Sequence, residues 1–148
     1  MRDTAVLCYN MTTADAANAR GVIPFGRLFD FLGDVETEIV VLYDGDESLC
    51  IGYEDVNFYE EVFVGDQLEF HAKLESTGNT SRRISAQTYK LATPASRLGV
   101  AGAKDGDMVW FDKPVLVSEG IVTLIVAKDR QRGNQPDGIV KDPWRALD

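Results

Sequence analysis

The chain has almost no residues of the kinds that do nucleophilic or metal chemistry. It contains one histidine, His71, and two cysteines, Cys8 and Cys50. With one imidazole, no Ser-His-Asp or Cys-His arrangement can be assembled from more than His71 itself. His71 falls on the polar side of an alternating stretch, where a solvated surface histidine is expected. Two cysteines without a histidine cluster make neither a disulfide framework nor a zinc site. Each sits in an apolar strand-like run, so buried free thiols are expected. No apolar run approaches the roughly 18 residues that span a bilayer, and no signal peptide is expected. A cytoplasmic protein is expected. Phosphate-cradling glycine motifs and Ca²⁺-loop carboxylate spacing are also missing. Positive charge is scarce: 15 Lys and Arg against 24 Asp and Glu give a net charge of −9. That balance argues against nucleic acid or an anionic membrane as partner. An enzyme built from this inventory works with carboxylates, backbone amides and binding energy.

Hydrophobic residues are 45% of 148, enough for one core in one domain. A single domain over residues 1–133, with a polar tail over 134–148, is the expected organisation. Residues 3–11 read as a strand and 12–24 as a loop. From Phe25 to Tyr43 the apolar positions follow i, i+3, i+4, i+7 over about five turns, the spacing of a helix. The turn Asp44-Gly45-Asp46 ends it. Strands follow over 48–58, 67–76, 81–91 and 115–127. Gly78-Asn79 marks a hairpin turn, and a Gly/Ala/Asp-rich excursion spans 93–114. One long helix followed by hairpin-linked strands predicts an α+β fold, with a curved antiparallel sheet wrapped around the helix. Such a sheet leaves an edge, so pairing with a second copy is expected.

The helix carries too many acids for a core element. With Leu28 at 0° and 100° per residue, the apolar stripe runs from roughly −20° to 120°. Asp30, Asp34 and Glu38 fall near ~200°, ~240° and ~280°, outside the stripe, whereas Glu36 falls at ~80°, inside it. Solvated or partner-facing positions are expected for the first three. Two readings are open for Glu36: a carboxylate paired by a neighbour such as an arginine, or a poorly hydrated carboxylate with a raised pKa, fit for proton transfer. Gly26, after Pro24, opens the helix, and free N–H groups there can hold a developing oxyanion. A turn requirement alone explains the glycine equally well. Two basic groups, Arg82-Arg83 after Asn79-Thr80-Ser81 and Lys128, Arg130 and Arg132 after the last strand, are placed to bind phosphates. Surface charge balance is the competing explanation.

Several spaced motifs carry a resemblance. Thr13-Ala14-Asp15, Asn18-Ala19-x-Gly21 and Gly26-x-Leu28 resemble the opening of hotdog-fold acyl-CoA thioesterases. Gly33-Asp34-Val35-x-Thr37-Glu38, Asp44-Gly45-Asp46-x-Ser48-Leu49, Val62-x-Val64-Gly65-Asp66, Gly78-Asn79-x-Ser81 and the run Lys128 to Gly133 resemble the hotdog ammonia lyases of β-alanyl-CoA and 3-aminobutyryl-CoA. The resemblance implies a hotdog fold and a homodimer or larger homo-oligomer. It also implies an acyl-CoA site between protomers, with no cofactor beyond the CoA of the substrate. Asp34 becomes the pocket carboxylate. Asn18 and Gly21 in the opening loop, and Asn79, Thr80, Ser81, Arg82, Lys128 and Arg130, become CoA contacts. The chain departs from the lyases at three places. Ala17-Asn18 replaces a His-Tyr pair, Asn57 replaces a strand glutamate, and Glu36 replaces a small residue. Glu36 standing in for the lost acid is the expected compensation. The implied activity is elimination of ammonia from a β-aminoacyl-CoA. Thioester hydrolysis, with Asn57 positioning water, is the alternative, and a non-catalytic acyl-CoA-binding subunit is a third reading.

Overall fold

The computed structural model describes residues 3–133. The expected tail, 134–148, lies outside them. Seven strands and one long helix follow in the order β1 (Thr4–Asn10), β2 (Val22–Ile23), α1 (Phe25–Asp44), β3 (Leu49–Phe58), β4 (Val62–Phe63), β5 (Gln67–Thr77), β6 (Ser81–Pro94) and β7 (Met108–Ile125). Five strands form one antiparallel sheet, ordered β1-β5-β6-β7-β3, and β2 pairs with β4. The expected α+β arrangement, a long helix held by an antiparallel sheet, is what forms.

Alternation decides which face meets the helix. Leu68, Phe70, Ala72 and Leu74 of β5 are buried, as are Ile84 and Ala86 of β6. Their registers match, Ala72 opposite Ala86 and Leu74 opposite Ile84, so one continuous apolar face results. Leu28, Val35, Ile39 and Val40 of α1 close onto it. Each such side chain stabilises by about 1.5–3 kcal/mol when fully buried.

Three expectations fail for local reasons. The 93–114 excursion is sheet at both ends, 93–94 and 108–114, because β6 and β7 continue as a hairpin with Ala92 opposite Trp110 and Pro94 opposite Met108. Its Asp, Lys and Pro residues hide the strand period. Both cysteines are exposed. Cys8 has the opposite parity to buried Ala5 and lies across from Glu69 on the outer face. Cys50 belongs to β3, a sheet edge where neighbouring Leu49 and Ile51 are also exposed. His71 is half-buried rather than free in solvent: its Nε2 contacts Glu69 Oε1 and its ring meets Tyr89 edge-on at 5.0 Å.

The Gly65-Asp66 turn fixes the loop that leads into the helix. Gly65 has φ 90°, and a Cβ there would stand 2.5 Å from Pro94 Cγ. Asp66 is fully buried and ties together Thr93 Oγ1 (2.6 Å), the Phe63 N–H (2.9 Å) and Lys90 Nζ (3.0 Å). Gly65→Ala is expected to lower the unfolding free energy by about 1–2 kcal/mol from backbone conformation alone, with the Pro94 clash added to it. An unchanged urea midpoint would contradict this.

Candidate active site

The flank of α1 that faces β3 carries an aromatic wall ending in an acid. Phe25, Phe29, Leu32 and Glu36 recur at i, i+4, i+7 and i+11, one ridge of the helix. Phe25 stacks on Phe58 with centroids 4.3 Å apart, and Phe29 meets Phe58 (5.8 Å) and Tyr53 (4.8 Å) edge-on. The Tyr53 hydroxyl donates to Glu36 Oε2 at 2.9 Å. Glu36 is 2% exposed, and its Oε1 has no hydrogen-bond partner among the described residues. The partner is therefore a tyrosine, not the arginine that was one of the two open readings. Burial lifts the Glu36 carboxyl from 4.5 to about 7, against the smaller opposing effect of the Tyr53 bond. Burial and the adjacent Glu36 charge raise Tyr53, which keeps it a neutral donor.

Tyr53 lines a small cleft of about 10 Å³, whose walls also include Phe29, Leu32, Val56 and Glu119. A bulge in β3 shapes it. Register shifts between Glu54 and Asn57, where Asp55 adopts φ 54°. Gly120 lets the bulge approach, since a Cβ there would lie 3.0 Å from Val56 Cγ2. Asn57, expected in the site, is exposed and donates its amide to Asp55 O at 3.2 Å. Across from it in register is Glu119, which accepts the Tyr59 hydroxyl at 2.5 Å. Glu119 and Tyr53 are the residues that sequence reasoning missed. Glu119, the one charged residue of 115–125, was the available signal, whereas Tyr53 stands in a strand that also carries Glu54, Asp55 and Asn57 and gave none.

Asp34 is not part of this cluster. Two residues from Glu36, it points about 200° away around the helix. There it is exposed and accepts the Tyr9 hydroxyl at 3.2 Å. Burial first, and then the Asp34 charge, raise the Tyr9 pKa. Glu38, on the same flank, is half-buried with Oε2 unpartnered among the described residues; of the two positions expected for it, solvated or partner-facing, it does not take the solvated one. Asp30 is exposed as expected and pairs with Arg27 Nη1 at 2.6 Å.

The opening loop is fastened to the first turn of the helix. Asp15 accepts the Thr12 N–H (2.8 Å) and the Arg27 Nε (2.9 Å). Burial alone would raise the Asp15 carboxyl, but these bonds outweigh it and hold it below its usual value. Asn18 and Gly21 form one turn: the Gly21 N–H donates to Asn18 O at 3.1 Å, and Gly21 has φ 74°. No side chain caps the helix start, so N–H groups at Phe25 and Gly26 remain open to a ligand. Among the described residues, nothing beyond its chain neighbours and the helix's own backbone lies within 4 Å of where a Gly26 Cβ would be.

The two basic groups meet at the other end of α1. Gln131 Nε2 donates to Asn79 O at 2.8 Å, and the Val126 N–H to Thr80 O at 2.9 Å. Asn79, Thr80 and Ser81 thus adjoin Lys128 and Arg130, both exposed. Arg82 is a correction. It is 3% exposed, gives Nε and Nη2 to Asp44 at 2.7 and 2.8 Å, and gives Nη1 to Gly78 O and Ser81 O. Those donors are committed, which leaves no guanidinium edge for a phosphate. Arg132 is likewise held by Asp46 at 2.7 Å. Gly26 and Asp44 are 18 residues apart, about 27 Å along the helix.

Among the described residues no helix is long and apolar enough to cross a membrane. No family model matches the chain. A 3-aminobutyryl-CoA ammonia lyase of Acetoanaerobium sticklandii is 32% identical over 128 residues, 86% of this chain and 98% of that one. The structure of β-alanyl-CoA:ammonia lyase from Clostridium propionicum superimposes with TM-score 0.83 at 32% identity, covering 93% of this chain and 95% of that one. A hexameric hotdog-fold thioesterase of Campylobacter jejuni shares the fold at TM-score 0.65 and 19% identity, with 89% and 90% covered. The chain is a hotdog protein and belongs to the family of hotdog-fold CoA ammonia lyases.

Proposed function

We propose that the chain is a β-aminoacyl-CoA ammonia lyase whose proton-transfer group is Glu36. The observation that carries this is the buried Glu36 carboxylate, titrating near neutrality and held by Tyr53, which lines an apolar cleft. A carboxyl near pH 7 accepts and returns a proton with similar ease. Glu36 lies ten residues, about 15 Å, along its own helix from Gly26, so the thioester oxygen accepts N–H groups at the start of the partner protomer's α1, which stabilise the enolate. Glu36 takes the Cα proton. The electron pair of that C–H bond forms the Cα–Cβ double bond as the Cβ–N bond breaks. Ammonia then takes the proton from Glu36 and leaves as ammonium, and the carboxylate is regenerated.

Elimination is favoured over hydrolysis by Asn57, whose amide is bonded to its own strand's Asp55 carbonyl rather than placed to hold a water. The 27 Å between helix start and basic patch supports a site shared by two protomers. Two helices set antiparallel about a two-fold axis would bring one protomer's Gly26 towards its partner's Lys128 and Arg130. The unpaired β3 edge, with exposed Leu49 and Ile51, offers the contact. The hexameric relatives of the same fold support assembly of this kind.

With 3-aminobutyryl-CoA, the protein is expected to produce enone absorbance and an equal amount of ammonium, with no free thiol. Thiol without enone would replace the proposal by hydrolysis. Neither product would leave a binding subunit.

A further inference from the structure

We infer that the aromatic wall Phe25, Phe58, Phe29 and Tyr53, ending at Glu36, is the seat of the ammonium group that the substrate carries and the reaction releases. This rests on the lyase reading and specifies how that site recognises its substrate. Ring contact is continuous along the wall: 4.3 Å from Phe25 to Phe58, 5.8 Å from Phe58 to Phe29, and 4.8 Å from Phe29 to Tyr53. Aromatic faces carry negative potential and attract ammonium groups, most strongly where water is thinned out. Alone, the wall would suit an apolar acyl tail equally well. Glu36 decides between the two. Its Oε2 is taken by Tyr53 and its Oε1 has no partner among the described residues. A buried carboxylate oxygen left beside a methyl or methylene group is costly, whereas an ammonium N–H satisfies it.

The protein's own nearby cation is committed elsewhere. Arg27 pairs with Asp15 and Asp30, and its guanidinium lies over Phe31. The wall is reachable from solvent, since Phe25 is 37% exposed and Phe29, Phe58 and Tyr53 are only partly covered. In the addition direction the chemistry balances on the same atoms. Ammonium gives a proton to Glu36, ammonia bonds to Cβ of the enoyl thioester, and Glu36 returns that proton to Cα.

The experiment measures addition of ammonium chloride to crotonyl-CoA by loss of enone absorbance, with each reactant varied in turn. Phe29→Leu keeps an apolar side chain and removes the ring face. Its KM for ammonium is expected to rise roughly 3- to 30-fold, with KM for crotonyl-CoA changed less than about twofold. Phe58→Leu is expected to behave in the same way, which guards against a folding defect in one variant. A higher KM for crotonyl-CoA with an unchanged KM for ammonium would overturn the inference and make the wall an acyl pocket. A second measurement separates the inference from the lyase reading. At pH 8, ammonium is expected to raise the melting temperature more than equal sodium does in the wild type, and not in Glu36→Gln. Absence of addition together with this ammonium-specific shift would remove the lyase reading and keep the ammonium site. Absence of the shift in the wild type would remove the site.

Discussion

Glu36→Gln is expected to cut lyase turnover by about 10²- to 10⁴-fold, the usual contribution of a positioned acid–base group. The same change is expected to flatten the dependence of stability on pH. Burial lifts the Glu36 carboxyl from 4.5 to about 7. The folded protein therefore holds a proton that the unfolded chain releases across this window. Its contribution to stability is fully present below pH 4.5, declines as pH rises, and is lost above about 7. The whole decline amounts to about 3 kcal/mol at 1.36 kcal/mol per pKa unit. Glutamine carries no charge at any of these pH values, so the decline disappears with it. Urea unfolding of both proteins at pH 5 and pH 8 measures the difference. Absolute stability is the poorer readout, because the glutamine amide introduces N–H groups into a buried site. An equal loss between the two pH values in both proteins would show that Glu36 is not the buried titrating group.

The helix and its stripe were legible in the sequence because 3.6-residue periodicity is a local property. The same wheel placed Glu36 inside the apolar stripe, where the structure has it, and Asp34 outside. The partners of these groups were not legible. Tyr53 reaches Glu36 because β3 pairs with β7 and passes beside α1, a contact between residues 17 apart in sequence. Glu119 and Asn57 share a register position 62 residues apart in sequence. Whether Asn57 holds a water or its own bulge depends on the φ of Asp55, and no motif reveals that. The strand within 108–114 was hidden for a related reason. A hairpin arm that projects beyond the core has no buried face to impose alternation, so Trp110 is 63% exposed and the period vanishes. The basic residues after Gly78 were read correctly as a cluster and wrongly as equivalent. Arg82 and Arg83 alternate across the sheet, which sends one under the helix end and the other to exposed Glu54.

Arg82→Ala is expected to cost about 3–5 kcal/mol of stability, the range for removing one partner of a buried ion pair. Asp44 closes the C-terminal turn of α1, where the helix dipole already disfavours a negative charge. The carboxylate is tolerated because Arg82 meets both its oxygens, while its third nitrogen binds the Gly78 and Ser81 carbonyls. The guanidinium also sits 5.2 Å from the centre of the Tyr43 ring. Removing it strands a buried carboxylate and two carbonyls at the junction of the helix end with the β5–β6 hairpin. The double variant Arg82→Met with Asp44→Leu is expected to recover much of that loss, because an apolar pair of similar volume needs no counter-charge. Arg130→Ala, by contrast, is expected to leave unfolding unchanged and to raise KM for the CoA thioester, since Arg130 is 63% exposed and 3.8 Å from Asp46. Unfolding curves and steady-state kinetics on the three proteins separate the two roles. Arg82→Ala with wild-type stability and a raised KM would return Arg82 to the phosphate-binding role first expected of it.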